Sequence, residues 1–307
     1  MSTTDVAVGL DAGGSSTTLR IQPANTEAYT EHTGPAAHPK QRGVNDAAHV
    51  LAALVREAAR PHRPIGTLAV CAGVAGAGRS AEQDALSDKL WTTLHEAAET
   101  VRVEVRSDAE IALDAAFGDE SGVVGIAGTG SMVLGHTKDG VLERAGGWGA
   151  RLGDPGSGHA LGRAGLRAVA DAFDGGPDTS LRARVADEHD IDDGDALIRR
   201  VVDEDLPLAE VAPTVLAAAA EGDAVASAIV EEQTRALARR VGWLVKRAGP
   251  FAPRVALVGG LTNDASYAER LGHHIREQWP DASVNVADDP PVAGALRGAR
   301  RLLNDIG

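Results

Sequence analysis

Gly9–Leu19, GLDAGGSSTTL, and Gly125–Gly135, GIAGTGSMVLG, are the two stretches whose reading decides the fold. Each places a glycine and serine turn between two β-like runs, and the second lies where the strand pattern of the first restarts. One such turn is a common hairpin. Two of them, opening two segments of similar organisation, predict an internal duplication.

Outward from the first stretch, Asp5–Asp11 and Thr17–Gln22 read as strands, and Glu27–Thr33 as a third, giving a meander. Val50, Leu51, Leu54, Val55 and Ala58 repeat at helical spacing within a predicted helix Asn45–Arg60 that stops at Pro61. Thr67–Val74 is a buried strand. Ser80–Ala98 opens on a Ser-x-x-Gln capping pattern and continues as a helix, and strand Val101–Val105 delivers Ser107 and Asp108 onto the next helix. Around the second stretch, Gly122–Ala127, Ser131–Thr137 and Val141–Gly146 form another three-strand run. A long helical region, Gly158–Gly249, follows, within which Ala224–Ala248 carries one apolar face and ends at Gly249-Pro250. Strand Arg254–Val258, a helix, a strand near Val284 and a last helix Pro291–Leu303 complete the chain. The order of elements predicts an α/β protein of two ribonuclease-H-like domains. Residues 1–117 form the first and 118–289 a larger second with a helical insertion, while the last helix, 290–307, packs back against the first.

With 307 residues and 43% hydrophobic content against 3% aromatic, the chain is long enough for two sizeable aliphatic cores. A formal net charge of -14 argues against nucleic acid or an anionic membrane as partner, since both require a basic field. Only Lys40, Lys89, Lys138 and Lys246 are lysines, and an acidic surplus with scarce lysine reads as salt adaptation. Cys71 is the single cysteine, which excludes an internal disulfide and any cysteine-ligated metal centre within one chain, and it reads as a core residue. The N-terminus carries no charged segment followed by an apolar run, and the expectation is a cytoplasmic protein.

The chemistry sits in five segments. In Asp11–Thr18 the tight turn of Gly13 and Gly14 lets backbone approach a ligand, and the N–H groups of Gly14, Ser15, Ser16 and Thr17 can point into one concavity that holds phosphate oxygens. Asp11, at the strand end, can hold water on a Mg2+ ion bridging the phosphates; a plain hairpin with an exposed Asp is the bland alternative. Ala127–Ser131 offers a second set, Gly128, Thr129, Gly130 and Ser131, and the two turns together can clamp a triphosphate in a cleft between the domains. No Gly-Lys-Ser/Thr follows either turn and no GxGxxG opens a helix after the first strand, so neither a Walker loop nor a dinucleotide fold is expected.

Asp108 is the candidate base. It stands where a strand turns into a helix whose start, Ser107-Asp108-Ala109-Glu110, has the form of a capping box, and the helix dipole favours its charged form. Helix capping alone is the alternative. Six of the thirteen residues in Gly146–Gly158, GGWGARLGDPGSG, are glycine, which suits a loop wrapped closely around something. There Trp148 can stack on a sugar face, Asp154 can bind hydroxyls, and Ser157 can cap the following helix. Val255–Asp264 ends a buried strand at Gly259-Gly260, where backbone can approach adenine and ribose. His273 and His274 are adjacent rather than four apart, and read as surface residues rather than metal ligands.

These segments, in this order, resemble the N-acetylglucosamine kinase branch of the acetate and sugar kinase, heat-shock chaperone and actin superfamily. That branch also includes the ATPase activators of 2-hydroxyacyl-CoA dehydratases and benzoyl-CoA reductases. The resemblance covers nearly the whole chain and is specific at AGTGS, GGWGxxxGDxGS and the SDA segment. It implies ATP and Mg2+ as cofactors, with Asp11–Thr17 and Gly128–Ser131 as the two phosphate motifs and Gly259 and Gly260 in the adenosine motif. It further implies Asp108 as catalytic aspartate, Gly147, Trp148 and Asp154 in the sugar loop, and Pro290–Ala299 as the C-terminal helix. Two positions depart from the pattern. His38, in TGPAAHPKQRG, stands where hexosamine kinases carry a sugar-contacting Asn and so joins the substrate candidates, and Pro155 replaces the usual Glu after the loop Asp.

The implied activity is in-line phosphoryl transfer from ATP to a small-molecule sugar, a hexosamine such as N-acetylglucosamine or glucosamine, with another hexose left open. Oligomeric state is open as well, a homodimer among the options. The activator reading requires an iron-sulfur cluster held by cysteines of two subunits, and one cysteine per chain gives two per dimer, short of four thiolates. A regulatory sensor without turnover would have no need of Asp108.

Overall fold

The computed structural model describes residues 3–304 and divides into two compact units, one running to Asp119 and resuming at Asp288, the other spanning Glu120–Ala287. Residues 1–2 and 305–307, the ends of the expected first domain, lie outside the described residues.

The first unit begins with β1 (Thr4–Ala12), β2 (Ser16–Pro23) and β3 (Thr30–Pro35), followed by α1 (Pro39–Arg42), α2 (Val44–Ala59), β4 (Ile65–Val74), α3 (Ser80–Leu94), β5 (Thr100–Ser107) and α4 (Asp108–Phe117). Its sheet order is β3-β2-β1-β4-β5, antiparallel across the meander and parallel from β1 to β4 to β5. The third strand starts at Thr30 rather than Glu27, because after Pro23 the chain turns: Ala24 N–H donates to Asp5 O and the Gln22 amide donates to Thr26 O. Helix α3 ends at Leu94, short of the expected Ala98, and the Ser-x-x-Gln cap is not used. Glu82 instead accepts from Arg79 N–H at 3.2 Å, while the Gln83 amide reaches across to Ala77 O and Glu110.

The second unit contains β6 (Gly122–Ala127), β7 (Ser131–His136), β8 (Leu142–Gly146), α5 (Gly158–Phe173), α6 (Leu181–His189), α7 (Gly194–Ile198), α8 (Ala212–Ala220), α9 (Ala224–Ala248), β9 (Arg254–Val258), α10 (Ala265–Gln278) and β10 (Ser283–Val286). Its sheet runs β10-β9-β6-β7-β8. Read from the other edge this is the order of the first sheet, with the same antiparallel meander and the same two parallel pairings, so the echo between the two glycine stretches reflects a duplicated sheet. The last helix, α11 (Pro291–Asn304), rejoins the first unit and packs on β1, β4 and α4.

Period-two alternation along β1 explains how the first unit is layered. Val6, Val8 and Leu10 point to one face, where they meet Leu51 and Val55 of α2 and Leu86, Leu90 and Leu94 of α3. Each such buried aliphatic side chain contributes about 1.5–3 kcal/mol. The opposite face carries small residues, Ala7, Gly9 and Cys71, and α11 lies directly on them. A Cβ on Gly9 would stand 2.3 Å from the backbone nitrogen of Leu296, so only glycine admits the helix this closely. Cys71 is fully buried there, and burial pushes its thiol up to about 12. In the second unit β6, β7 and β9 bury Val123, Val133, Val255 and Leu257 against α5, α9 and α10. No single helix among the described residues is long and apolar enough to cross a membrane.

Candidate active site

The first unit gathers Asp11, Asp108 and His38. Asp11 lies near the end of β1, paired with Thr18 on one side and Gly73 on the other. Burial, and then the charge of Asp108, push its carboxyl up to about 6. No hydrogen bond or ion pair reaches this carboxylate among the described residues. A half-buried carboxylate without a protein partner suits a hard cation such as Mg2+, with or without an intervening water.

Asp108 is the first residue of α4, and the geometry separates it from helix capping. Glu110 N–H donates to Ser107 Oγ at 3.2 Å and Ser107 N–H donates to Glu110 Oε2 at 2.9 Å, which completes the capping box without Asp108. The Gln83 amide donates to the same Glu110 oxygen at 2.8 Å and fixes the box from α3. The Asp108 carboxylate takes the N–H of Ala109, at 2.9 Å, and its own backbone N–H, and the residue stays open to solvent at its surface. Protein packed around it still raises its pKa by desolvation, while the Ala109 N–H and the nearby His38 pull the other way.

His38 precedes α1 at its N-terminus, without capping it through its side chain. Its imidazole lies on Gly76, where an added Cβ would stand 2.6 Å from Cε1, and its Nδ1 is buried without a hydrogen-bond partner. Of the turn residues, Gly14, Ser15 and Ser16 are exposed, and Gly13 N–H closes the hairpin onto Ser16 O at 2.9 Å. Thr17 is fully buried and its hydroxyl donates to Pro35 O at 2.8 Å, so its side chain serves the fold and only its backbone remains for a ligand.

The second unit gathers Gly128–Ser131, the loop 146–158 and Gly259-Gly260. Gly128 O accepts from Gly158 N–H at 2.8 Å and Thr129 O from His159 N–H at 3.2 Å, which ties the turn to the start of α5. Ser157 caps that helix, its Oγ accepting from Ala160 N–H at 3.1 Å. The Ser131 hydroxyl donates to Pro155 O at 2.8 Å, so its side chain serves the loop. Asp154 is buried with φ +54°, a left-handed backbone uncommon outside glycine, and its Oδ1 accepts from Gly149 N–H at 3.1 Å. Its other oxygen faces Gly130, where an added Cβ would be 3.0 Å away. Gly147 N–H donates to Ser131 O at 3.2 Å, and Trp148 is 67% exposed with the Arg144 guanidinium over its ring. Gly259 has φ +113°, and a Cβ there would sit 2.4 Å from Ala127 O, so the two turns pack backbone to backbone; Gly260 is exposed.

Three supports carried no sequence signal. Gly76 seats His38. Gln233 accepts Gly156 N–H at 3.1 Å, and the buried Tyr267 hydroxyl donates to Gly156 O, so α9 and α10 hold the loop from beneath. His274 corrects the surface reading: it is 2% exposed, set between Glu231 and Glu277.

A family model described as the BadF/BadG/BcrA/BcrD ATPase family matches residues 8–300. The chain is 28% identical to an N-acetyl-D-glucosamine kinase of Dictyostelium discoideum, over 95% of this chain and 97% of that one. It is also 28% identical to an N-acetylmuramic acid/N-acetylglucosamine kinase of Clostridium acetobutylicum, with the same 95% and 97% coverage. Its fold is similar to the crystal structure of a Chromobacterium violaceum protein, with a TM-score of 0.73 and 24% identity over 95% of this chain and 98% of that one.

Proposed function

This chain belongs to the BadF/BadG/BcrA/BcrD ATPase family, and from that premise we propose that it is an ATP-dependent sugar kinase whose acceptor is a hexosamine, N-acetylglucosamine or glucosamine. The observation that carries the reading is the division of labour at the start of α4. Ser107 and Glu110 cap the helix, leaving the Asp108 carboxylate free at a strand end, with Asp11 and His38 beside it.

Asp108 accepts the proton of the sugar hydroxyl as that oxygen attacks the γ-phosphorus, and the bond from the γ-phosphorus to the bridging oxygen of ADP breaks. Its raised pKa brings the carboxylate toward the range in which a base is both ionised and effective at neutral pH. In the first unit the backbone N–H groups of Gly14, Ser15, Ser16 and Thr17 are the candidate donors to phosphate oxygens; in the second, those of Thr129, Gly130 and Ser131 are, the Gly128 N–H being engaged by Gly130 O, with Gly259 and Gly260 offered to the adenosine. Asp11 would hold Mg2+ through water, and the ion, when bound, would supply positive charge to the phosphates. Trp148 and Asp154 are the sugar candidates of the second unit and His38 that of the first, with its Nδ1 left without a protein partner. Consumption of ATP fits a cytoplasmic protein.

Cys71 supports this reading over the activator alternative. It is buried beneath α11, with a Cβ on Gly298 falling 2.7 Å from its sulfur, and its thiol holds its proton through the physiological range. The test is a coupled ADP-release assay across a panel of hexosamines and hexoses, in low and high salt. One or more hexosamines should raise ADP release well above the rate without sugar. Equal rates with and without every sugar would overturn the proposal.

A further inference from the structure

On α10 the sequence His-His-Ile-Arg-Glu places Glu277 four residues after His273 and three after His274. At ~100° per residue, the carboxylate falls between the two imidazoles on the next turn of the helix. A search for histidine pairs alone passes over this arrangement.

The structure brings His273 Nε2 to 3.5 Å from Glu277 Oε1, and His274 Nδ1 to 2.8 Å from Glu277 Oε2. One donor atom from each of His273, His274 and Glu277 lies within 4.8 Å of the other two. A tetrahedral ion bound at about 2.0–2.1 Å holds its donors about 3.3 Å apart, so a shared ion would draw the three side chains closer than the 4.8 Å within which they now lie. The far nitrogen of His274, Nε2, is buried 3.1 Å from Oε1 of Glu231 on α9, which is itself held by Arg235 at 2.6 Å and Arg270 at 3.5 Å. A carboxylate behind a ligating imidazole is the usual outer support of a metal-bound histidine. With the ring proton on Nδ1, His274 donates to Glu277 Oε2 and Nε2 is left buried without a hydrogen-bond partner; with a cation on Nδ1 the ring proton moves to Nε2, which faces Glu231. A proton would satisfy the His274 and Glu277 pair alone; a metal ion uses the third donor as well.

We propose that His273, His274 and Glu277 form a binding site for one divalent transition cation of the Zn2+ class, with Glu231 as the outer carboxylate that orients His274. The mixed imidazole and carboxylate set disfavours Mg2+, which takes oxygen ligands. The site is independent of the kinase reading, and its occupancy ties α10 to α9 beneath the loop that Gln233 and Tyr267 support.

The experiment uses the full chain without a histidine tag, stripped with chelator and titrated with Zn2+ by calorimetry, beside the exposed-ligand variants His273→Gln and Glu277→Gln. Wild type should take up one Zn2+ per chain, unaffected by excess Mg2+, and its melting midpoint should rise with Zn2+. Either variant should lose about tenfold or more in affinity, the scale on which even outer-shell changes act. Melts without metal check that each variant is folded. Absence of stoichiometric uptake by wild type, as expected if His274 is merely protonated between Glu231 and Glu277, or equal uptake by His273→Gln, would overturn the proposal.

Discussion

The turn at residues 13–16 and the turn at residues 128–130 occupy the same place in two sheets of the same strand order, yet the structure commits them differently. The first is open: Gly14, Ser15 and Ser16 are exposed, and the turn is closed only by its own backbone. The second is stapled, with the carbonyls of Gly128 and Thr129 engaged by the start of α5, the Ser131 hydroxyl spent on Pro155 O, and Gly130 against the Asp154 carboxylate. The same sequence device therefore serves as a free set of donors in one unit and as the keystone of a loop in the other. What differs is the neighbour: β1 and α4 present the carboxylates of Asp11 and Asp108 in the first unit, whereas the second turn receives a glycine-rich loop.

The largest expected effect tests the carboxylates beside the open turn. Asp108→Asn should lower kcat by about 10²–10⁴-fold with little change in KM for the sugar, the range for loss of a general base. A variant retaining wild-type kcat would remove Asp108 from the chemistry. Asp11 links catalysis to stability. Its pKa rises from 3.8 to about 6 on folding, so the folded chain keeps this proton where the unfolded chain has lost it. The associated stability is complete below the unfolded value and is lost as the pH rises to about 6. Asp11→Asn should therefore melt at a higher temperature than wild type at pH 7.5, with the difference closing by pH 4, while turnover falls. Equal melting at pH 7.5 would show that burial does not strain this carboxylate.

Ser131→Ala should cost about 1–3 kcal/mol in denaturant unfolding, because Pro155 O loses its donor in a buried setting. Ser16→Ala, its counterpart in the open turn, should stay within about 0.5 kcal/mol and leave KM for ATP near wild type, because its backbone N–H is kept. Equal stability losses at both serines would erase the distinction between open and stapled turns. The smallest effect is expected at Trp148, where replacement by Ala should leave stability within about 0.5 kcal/mol and raise KM for the sugar.

Much of the site was legible because its chemistry is local. Asp108 beside a Ser-x-x-Glu box, and glycine turns between β-like runs, are patterns a few residues long. The three-dimensional partners were not legible. Nothing near Ser131 in sequence points to Pro155, and nothing near His38 indicates that Gly76 gives its ring a seat. His274 reads as a surface residue because it is adjacent to His273 rather than four residues from it, whereas the structure buries it against Glu231 of α9, more than forty residues earlier in the chain.

By itself, the sequence determined the duplicated α/β plan and singled out the candidate reactive groups, since hydrophobic period and turn chemistry act between near neighbours. Only the tertiary structure decided which hydroxyls and carbonyls were already engaged, which carboxylates were left uncompensated, and how far their proton affinities moved. Those properties depend on desolvation and on hydrogen-bond partners distant in sequence, and both are fixed only when the sheets and helices pack.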